Sequence, residues 1–245
     1  MVIRQLLKSI CRFPRESSPA YLFAILEGMN RALAIALISG LLATAASAKH
    51  HHHDDSSASA GSFDYYLLSL SWAPSYCREH PSDHSNECRA GGRQGFVLHG
   101  LWPQSEHGAP PMNCGGGSPP DPSLVDSLLQ YFPSRGLIQH EWQEHGTCSG
   151  LSASDYFHQA EQAYKKVQTP EALRDVSREM EVSVSELEQR FAEANHAPAG
   201  SVKLSCHAGE LVNLEMCVSK DLQFRACSAS VRECPADRVT LLPPQ

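Results

Sequence analysis

Two histidine-bearing stretches hold the residues best suited to chemistry. Residues 140–148 read His140-Glu141-Trp142-Gln143-Glu144-His145-Gly146-Thr147-Cys148, and residues 96–104 carry His99. If the first stretch is helical, His140, Glu144, Glu141 and His145 fall at roughly 0, 40, 100 and 140° around the axis, so four ionisable groups share one face. Trp142 turns away from them to bury its ring, and Gly146 follows as a helix stop. Metal binding is one reading of such a face. The zinc-protease pattern H-E-x-x-H needs histidines four apart, whereas His140 and His145 are five apart with Glu144 in the required place. His140 and Glu144 lack an evident third ligand, so no metal or other cofactor is expected.

Acid–base chemistry is the other reading, because imidazoles on two separate elements allow one to take a proton while the other gives one. Ester transfer at phosphorus is such a reaction. In RNA the 2′-hydroxyl is an internal nucleophile, so a protein needs a base for it, an acid for the leaving 5′-oxygen and donors for the equatorial oxygens. A serine nucleophile is disfavoured by the lack of a G-x-S-x-G elbow. Spacing alone leaves this mechanism one option beside a solvated polar helix face.

The elements that must position these groups begin behind a secretion pattern. Met29-Asn30-Arg31 opens a short positive region, residues 32–45 form an apolar run, and Ala46-Ser47-Ala48 has the form of a cleavage site. The expected organisation is a spurious or unstructured extension at 1–28, a signal peptide at 29–48, a disordered His/Asp/Ser linker at 49–61 and one catalytic domain at 62–245. Eight of the nine cysteines follow the signal, at 77, 88, 114, 148, 206, 217, 227 and 234. An even count with no C-x-x-C spacing reads as a disulfide framework of an oxidising compartment, periplasmic or secreted.

The segment after residue 48 carries 15 Lys and Arg against 25 Asp and Glu. No basic stripe is visible, which argues against stable duplex DNA binding. The thirteen histidines gain charge below about pH 6.5, so chemistry on a polyanion is favoured in mild acid. Once the signal is cleaved nothing calls for a membrane, and a monomer is expected.

Along the chain, residues 63–72 read as a buried strand ended by Pro74, and residues 95–99 as a short strand delivering His99 into a tight turn at 100–103. The Gly- and Pro-rich stretch 104–122 reads as an irregular loop pinned at Cys114. Asp121-Pro122 caps a helix of about twelve residues, and the histidine helix follows from about Leu137. Further helices are expected at 154–168, after Pro170, and from a capping box at Ser183 and Glu186 to about Asn195. Residues 202–206, 211–218 and 222–228 read as strands. The expectation is an α+β fold: a central antiparallel sheet packed against several helices and stapled by disulfides.

Taken together, Phe96-Val97-Leu98-His99-Gly100-Leu101-Trp102-Pro103 and residues 140–148 resemble the two active-site signatures of the ribonuclease T2 family, in the family's order and separation. The resemblance spans about residues 62–234 and points to a bacterial ribonuclease I-like member. It implies a metal-independent endoribonuclease that cleaves single-stranded RNA through a 2′,3′-cyclic phosphate to a 3′-phosphate, with broad base tolerance. By the same resemblance His99 is the general base, His145 the general acid, His140 a phosphate-binding group and Glu141 a carboxylate that assists at phosphorus. Trp102 resembles a wall of the base pocket, and Gln104 stands where some relatives have a base-contacting acid.

Glu144 departs from the family, which usually has lysine there. An anion in place of a cation on the catalytic face weakens transition-state binding, and loss of one such donor typically costs about 3–4 kcal/mol. Proximity and the family pattern also imply the bridges Cys77–Cys88, Cys114–Cys148, Cys206–Cys234 and Cys217–Cys227. Two rival functions remain: a catalytically weakened RNA-binding or interaction protein, and a metal-dependent hydrolase using His140, Glu144 and the tract at 50–53.

Overall fold

The computed structural model describes residues 59–89 and 95–244. The secretion pattern and most of the linker lie outside the described residues. Residues 59–61 form a turn, and the Gly61 N–H donates to the carbonyl of Cys148.

The elements in order are β1 (Tyr65–Trp72), α1 (Ala73–Glu79), β2 (Phe96–Gln104), α2 (Pro122–Leu128), α3 (Arg135–Glu144), α4 (Ala153–Lys166), β3 (Met180–Ser183), α5 (Val184–Ala194), β4 (Val202–His207), β5 (Glu210–Val218) and β6 (Arg238–Leu241). The sheet runs β2-β1-β5-β6-β3, with β4 also paired to β5. All pairs are antiparallel except a single parallel contact, Glu210 with Thr240. The fold is thus α+β, and four disulfides brace it: Cys77–Cys88, Cys114–Cys148, Cys206–Cys234 and Cys217–Cys227.

Alternation along β1 sorts its two faces. Tyr66, Leu68, Leu70 and Trp72 enter the large core with Phe132, Ile138, Trp142, Tyr156, Phe157 and Phe191 from the helical segments, while Tyr65 and Leu67 pack on the opposite side with Cys217 and Val231. Ser69 and Ser71 point to that second side, and both are buried. The helix caps follow sequence rules: the side chains of Asp121, Ser134, Ser152 and Ser183 accept backbone N–H groups at the starts of α2, α3, α4 and α5.

Several elements differ from the sequence reading. Residues 100–103 are not a tight turn; they continue β2 as an edge strand, where the missing N–H of Pro103 breaks no ladder on the open side. β1 ends at Trp72 as expected, but Pro74 opens an unforeseen helix, sitting in the first turn of α1, where a proline's absent donor costs nothing. The helix after Asp121 is seven residues long, and the helix expected after Pro170 is a single 3-10 turn, Glu171–Leu173. Residues 222–228 contribute one isolated bridge, Val218 with Phe224. The sheet is completed instead by β6 and, at its far edge, β3, which pair with each other over four residues.

Candidate active site

His99 owes its position to an irregularity in β2. Ser69 pairs with Gly100 and Leu70 with Leu98, so His99 is an extra residue with no partner on β1, a β-bulge. The bulge changes the parity of the strand: Leu98 and Leu101, three apart, both enter the helix-covered core. Strict alternation would send them to opposite faces. His99 is aimed instead toward Ser71, whose Oγ lies 2.8 Å from its Nδ1. Its side chain keeps 31% exposure, enough to meet a ligand.

The second histidine segment is built by α3, which starts at Arg135, two residues before the expected boundary, and ends at Glu144. Ile138 and Trp142, one turn apart, anchor it in the core. Glu141 lies on this inner side too and is completely buried, so the four ionisable groups do not share one solvated face. His140 is exposed, while Glu144 and His145 are half-buried. His145 is not helical: it is the capping residue, at φ −120° and ψ −47°, and its N–H donates to the carbonyl of Glu141. A 3-10 turn, Gly146–Cys148, follows. Gly146 serves here by its size, since a Cβ would collide with the rings of Trp142 and Tyr156.

Trp102 joins the two segments. Its indole N–H donates to Glu141 Oε2 at 2.7 Å, and its ring stacks on His145 with centroids 5.0 Å apart and planes at 27°. The His99 ring meets the same indole edge-on at 5.4 Å. Glu141 Oε1 lies 3.6 Å from His99 Nε2 and has no hydrogen-bond partner. The backbone must approach closely here, because a Cβ on Gly100 would overlap the Glu141 carboxyl and the Trp102 nitrogen. His140 stands at the rim, its ring 6.4 Å from that of His145. Gln104 lies at the far end of β2, opposite Tyr65, and Glu144 forms no salt bridge among the described residues.

Burial sets the electrostatics. It pushes His99 down to about 4, with the neighbouring His140 adding to the effect. It pushes His145 down to about 3, with further repulsion from His140 and His99. Glu141 is driven up to about 8 by burial; the bond from Trp102 works against this, and the charge of Glu144 adds to it. At pH 5–7 the free site therefore holds His99 and His145 neutral beside a protonated Glu141. A negative charge brought beside this cluster would raise both histidines toward their ordinary range and hold Glu141 protonated.

Sequence patterning missed Ser71. The alternation Leu68-Ser69-Leu70-Ser71-Trp72 is visible in the chain and marks two serines on the side of β1 away from the large core.

An α+β sheet braced by four disulfides, with two histidine segments meeting at one indole, defines a class of disulfide-rich protein with a paired-imidazole site. The sequence profile of the Ribonuclease T2 family matches residues 63–227, and the chain belongs to that family. It is 43% identical over 114 residues to a ribonuclease of Aeromonas hydrophila, an alignment covering 46% of this chain and 51% of that one. It is 28% identical over 222 residues to ribonuclease DdI of Dictyostelium discoideum, covering 81% and 96% respectively. The solved structure of trichomaglin, described as an S-like ribonuclease, superposes with a TM-score of 0.62 at 26% identity, covering 75% of this chain and 99% of that one. The chain spans about half the length of the first curated relatives it matches.

Proposed function

We propose that this chain is an endoribonuclease acting on single-stranded RNA by attack of the 2′-hydroxyl on the adjacent phosphorus. The observation that carries this reading is the placement of His99 and His145 against one indole, on a bulged strand and on a helix cap, with Glu141 held beside them. His99 Nε2 takes the proton of the 2′-hydroxyl as the oxygen bonds to phosphorus. His145 gives a proton to the departing 5′-oxygen, and the two exchange roles when water opens the 2′,3′-cyclic phosphate. No metal enters these steps.

The depressed histidines fit work in mild acid. His99, pushed down to about 4, stays unprotonated and ready as a base at pH 5. His145 must carry a proton, and a bound phosphodiester supplies the negative charge that raises it. Protonated, it also gains from the face of Trp102. His140 at the rim is placed to meet a phosphate oxygen, and the neutral Glu141 can donate from Oε1, the partnerless atom. Trp102 is tied into the catalytic groups on one side, which leaves it as a wall for the base. Gln104 is a candidate contact to that base. The acid limb of kcat/KM is expected near pH 4, because the rate falls once His99 takes a proton there.

The four disulfides and the pattern at 29–48 support a periplasmic or secreted setting. Digestion of total RNA at about pH 5 with EDTA present tests the function. Cleavage under those conditions is expected; binding without cleavage favours the weakened protein that Glu144 suggests, and loss of cleavage on adding EDTA favours a metal-dependent hydrolase.

A further inference from the structure

We infer that Ser71 is a positioning residue that accepts a hydrogen bond from Nδ1–H of His99 and so leaves the lone pair of Nε2 free for the 2′-hydroxyl. This rests on the endoribonuclease reading of the site and deepens it.

The geometry has three parts. First, His99 is the bulged residue of β2, so no cross-strand pairing on β1 fixes its orientation and a side-chain contact must do so. Second, that contact is made by a rigid group. Ser71 belongs to β1, is paired on both sides with Val97 of β2 and Asn213 of β5, is flanked by the buried Leu70 and Trp72, and is itself only 9% exposed. Third, the ring's other nitrogen faces the reacting groups: Nε2 lies 3.6 Å from Glu141 Oε1, on the side where Trp102 and His145 stack.

A neutral imidazole has one N–H and one lone pair, and a serine hydroxyl can serve either. If Ser71 donated, the ring proton would sit on Nε2 and the base would be absent where the substrate hydroxyl must come. If Ser71 accepts, Nε2 is free. During attack the 2′-O–H bond breaks and its proton moves to Nε2, while the oxygen's electron pair forms the new bond to phosphorus. The Nδ1 proton and the Ser71 hydroxyl proton both stay where they are. The imidazole becomes a cation, so its bond to Ser71 becomes charge-assisted and strengthens on the way to the transition state. Uniform binding of substrate is not changed by this, which places the effect in kcat.

The test combines Ser71→Ala, Ser71→Thr and the wild-type chain. Imidazole 15N shifts of His99 should show the Nδ1–H form in the wild type and a mixture of both tautomers in Ser71→Ala. On a dinucleotide substrate Ser71→Ala should lower kcat roughly ten- to hundredfold, the worth of one charge-assisted bond, with KM within about twofold. Ser71→Thr keeps the hydroxyl on a strand-compatible side chain and should restore most of the rate. A wild-type Nε2–H tautomer, or wild-type kcat in Ser71→Ala, overturns the inference. If Ser71→Ala fails to fold, the wild-type tautomer and the Ser71→Thr rate still decide. Absence of any cyclic phosphate from the wild type would instead overturn the parent reading, separately from the tautomer result.

Discussion

The two sides of the sheet are built on opposite principles. The helix-covered side is a continuous apolar cluster in which Leu68, Leu70, Leu98, Leu101, Tyr156, Phe157 and Phe191 are all but inaccessible. Two buried donors there, the Tyr156 hydroxyl and the Trp72 indole N–H, are satisfied by the carbonyls of Leu101 at 2.9 Å and Leu242 at 3.1 Å. The other side keeps a small apolar cluster around Tyr65, Leu67, Cys217 and Val231, and beside it the buried Ser69, whose Oγ has no partner; at the β2 edge, where α3 meets the sheet, Glu141 Oε1 is likewise unpaired. Unpaired buried polar atoms are costly, and proteins tolerate them where function needs them. One side therefore supplies stability and the other supplies reactive groups, joined by strands that face both.

The largest expected effects separate these roles. His99→Ala or His145→Ala should cut kcat by roughly 10²–10⁴ while leaving thermal stability unchanged or raised, because a buried titratable group is removed. Phe157→Ala, which empties a site packed edge-on against Phe132 and Tyr156, should instead lose about 3–5 kcal/mol of stability and leave the rate per folded molecule intact. Steady-state kinetics paired with denaturant melts read both quantities; an inversion of this pattern breaks the comparison.

Gly100→Ala should cost stability and activity at once. The added methyl collides with Glu141 and Trp102, so a loss of about 1–3 kcal/mol is expected together with a fall in activity. Full stability with lost activity would show that the carboxyl can move aside without strain.

Glu215 sharpens the comparison away from the histidines. It is buried on β5 opposite Ser69, and burial pushes it up to about 7. Between pH 4.5 and about 7 the folded chain keeps a proton that the unfolded chain has released, so stability falls as pH rises through that window. Glu215→Gln removes this dependence and should stabilise by on the order of 2 kcal/mol at pH 7 and hardly at all at pH 4. Melting curves across this range check the sign. The smallest expected effect is that of Glu144→Lys, which should raise turnover near neutral pH by about tenfold, one charge-assisted bond at its low end. Unchanged rates would place residue 144 outside the reacting centre.

The difference between the two sides also explains what the sequence made legible. Apolar periodicity and side-chain caps located the core helices, since these depend on neighbours within a turn or two; Ser152 and Ser183 head α4 and α5 within a residue or so of the expected starts. The histidines were legible as motifs. Their geometry was not, because the bulge at His99 depends on register with β1, 28 residues earlier at Ser71. The burial of Glu141 was hidden for the same reason: a helical wheel gives its angle, but only the approach of β2 decides which angles are covered. The short β3 and β6 carry too little periodicity to be seen before they pair, and Pro74 was ambiguous between a strand end and a helix start.

The central claim is that two imidazoles act in turn on one phosphodiester with no metal. Phosphorus-31 NMR of a dinucleotide incubated at pH 5 with EDTA follows this directly. The wild type should build up a 2′,3′-cyclic phosphate and then convert it to the 3′-phosphate, and neither His99→Ala nor His145→Ala should do so at a comparable rate. A 5′-phosphate product, or a cyclic intermediate formed equally fast by either variant, would contradict the account.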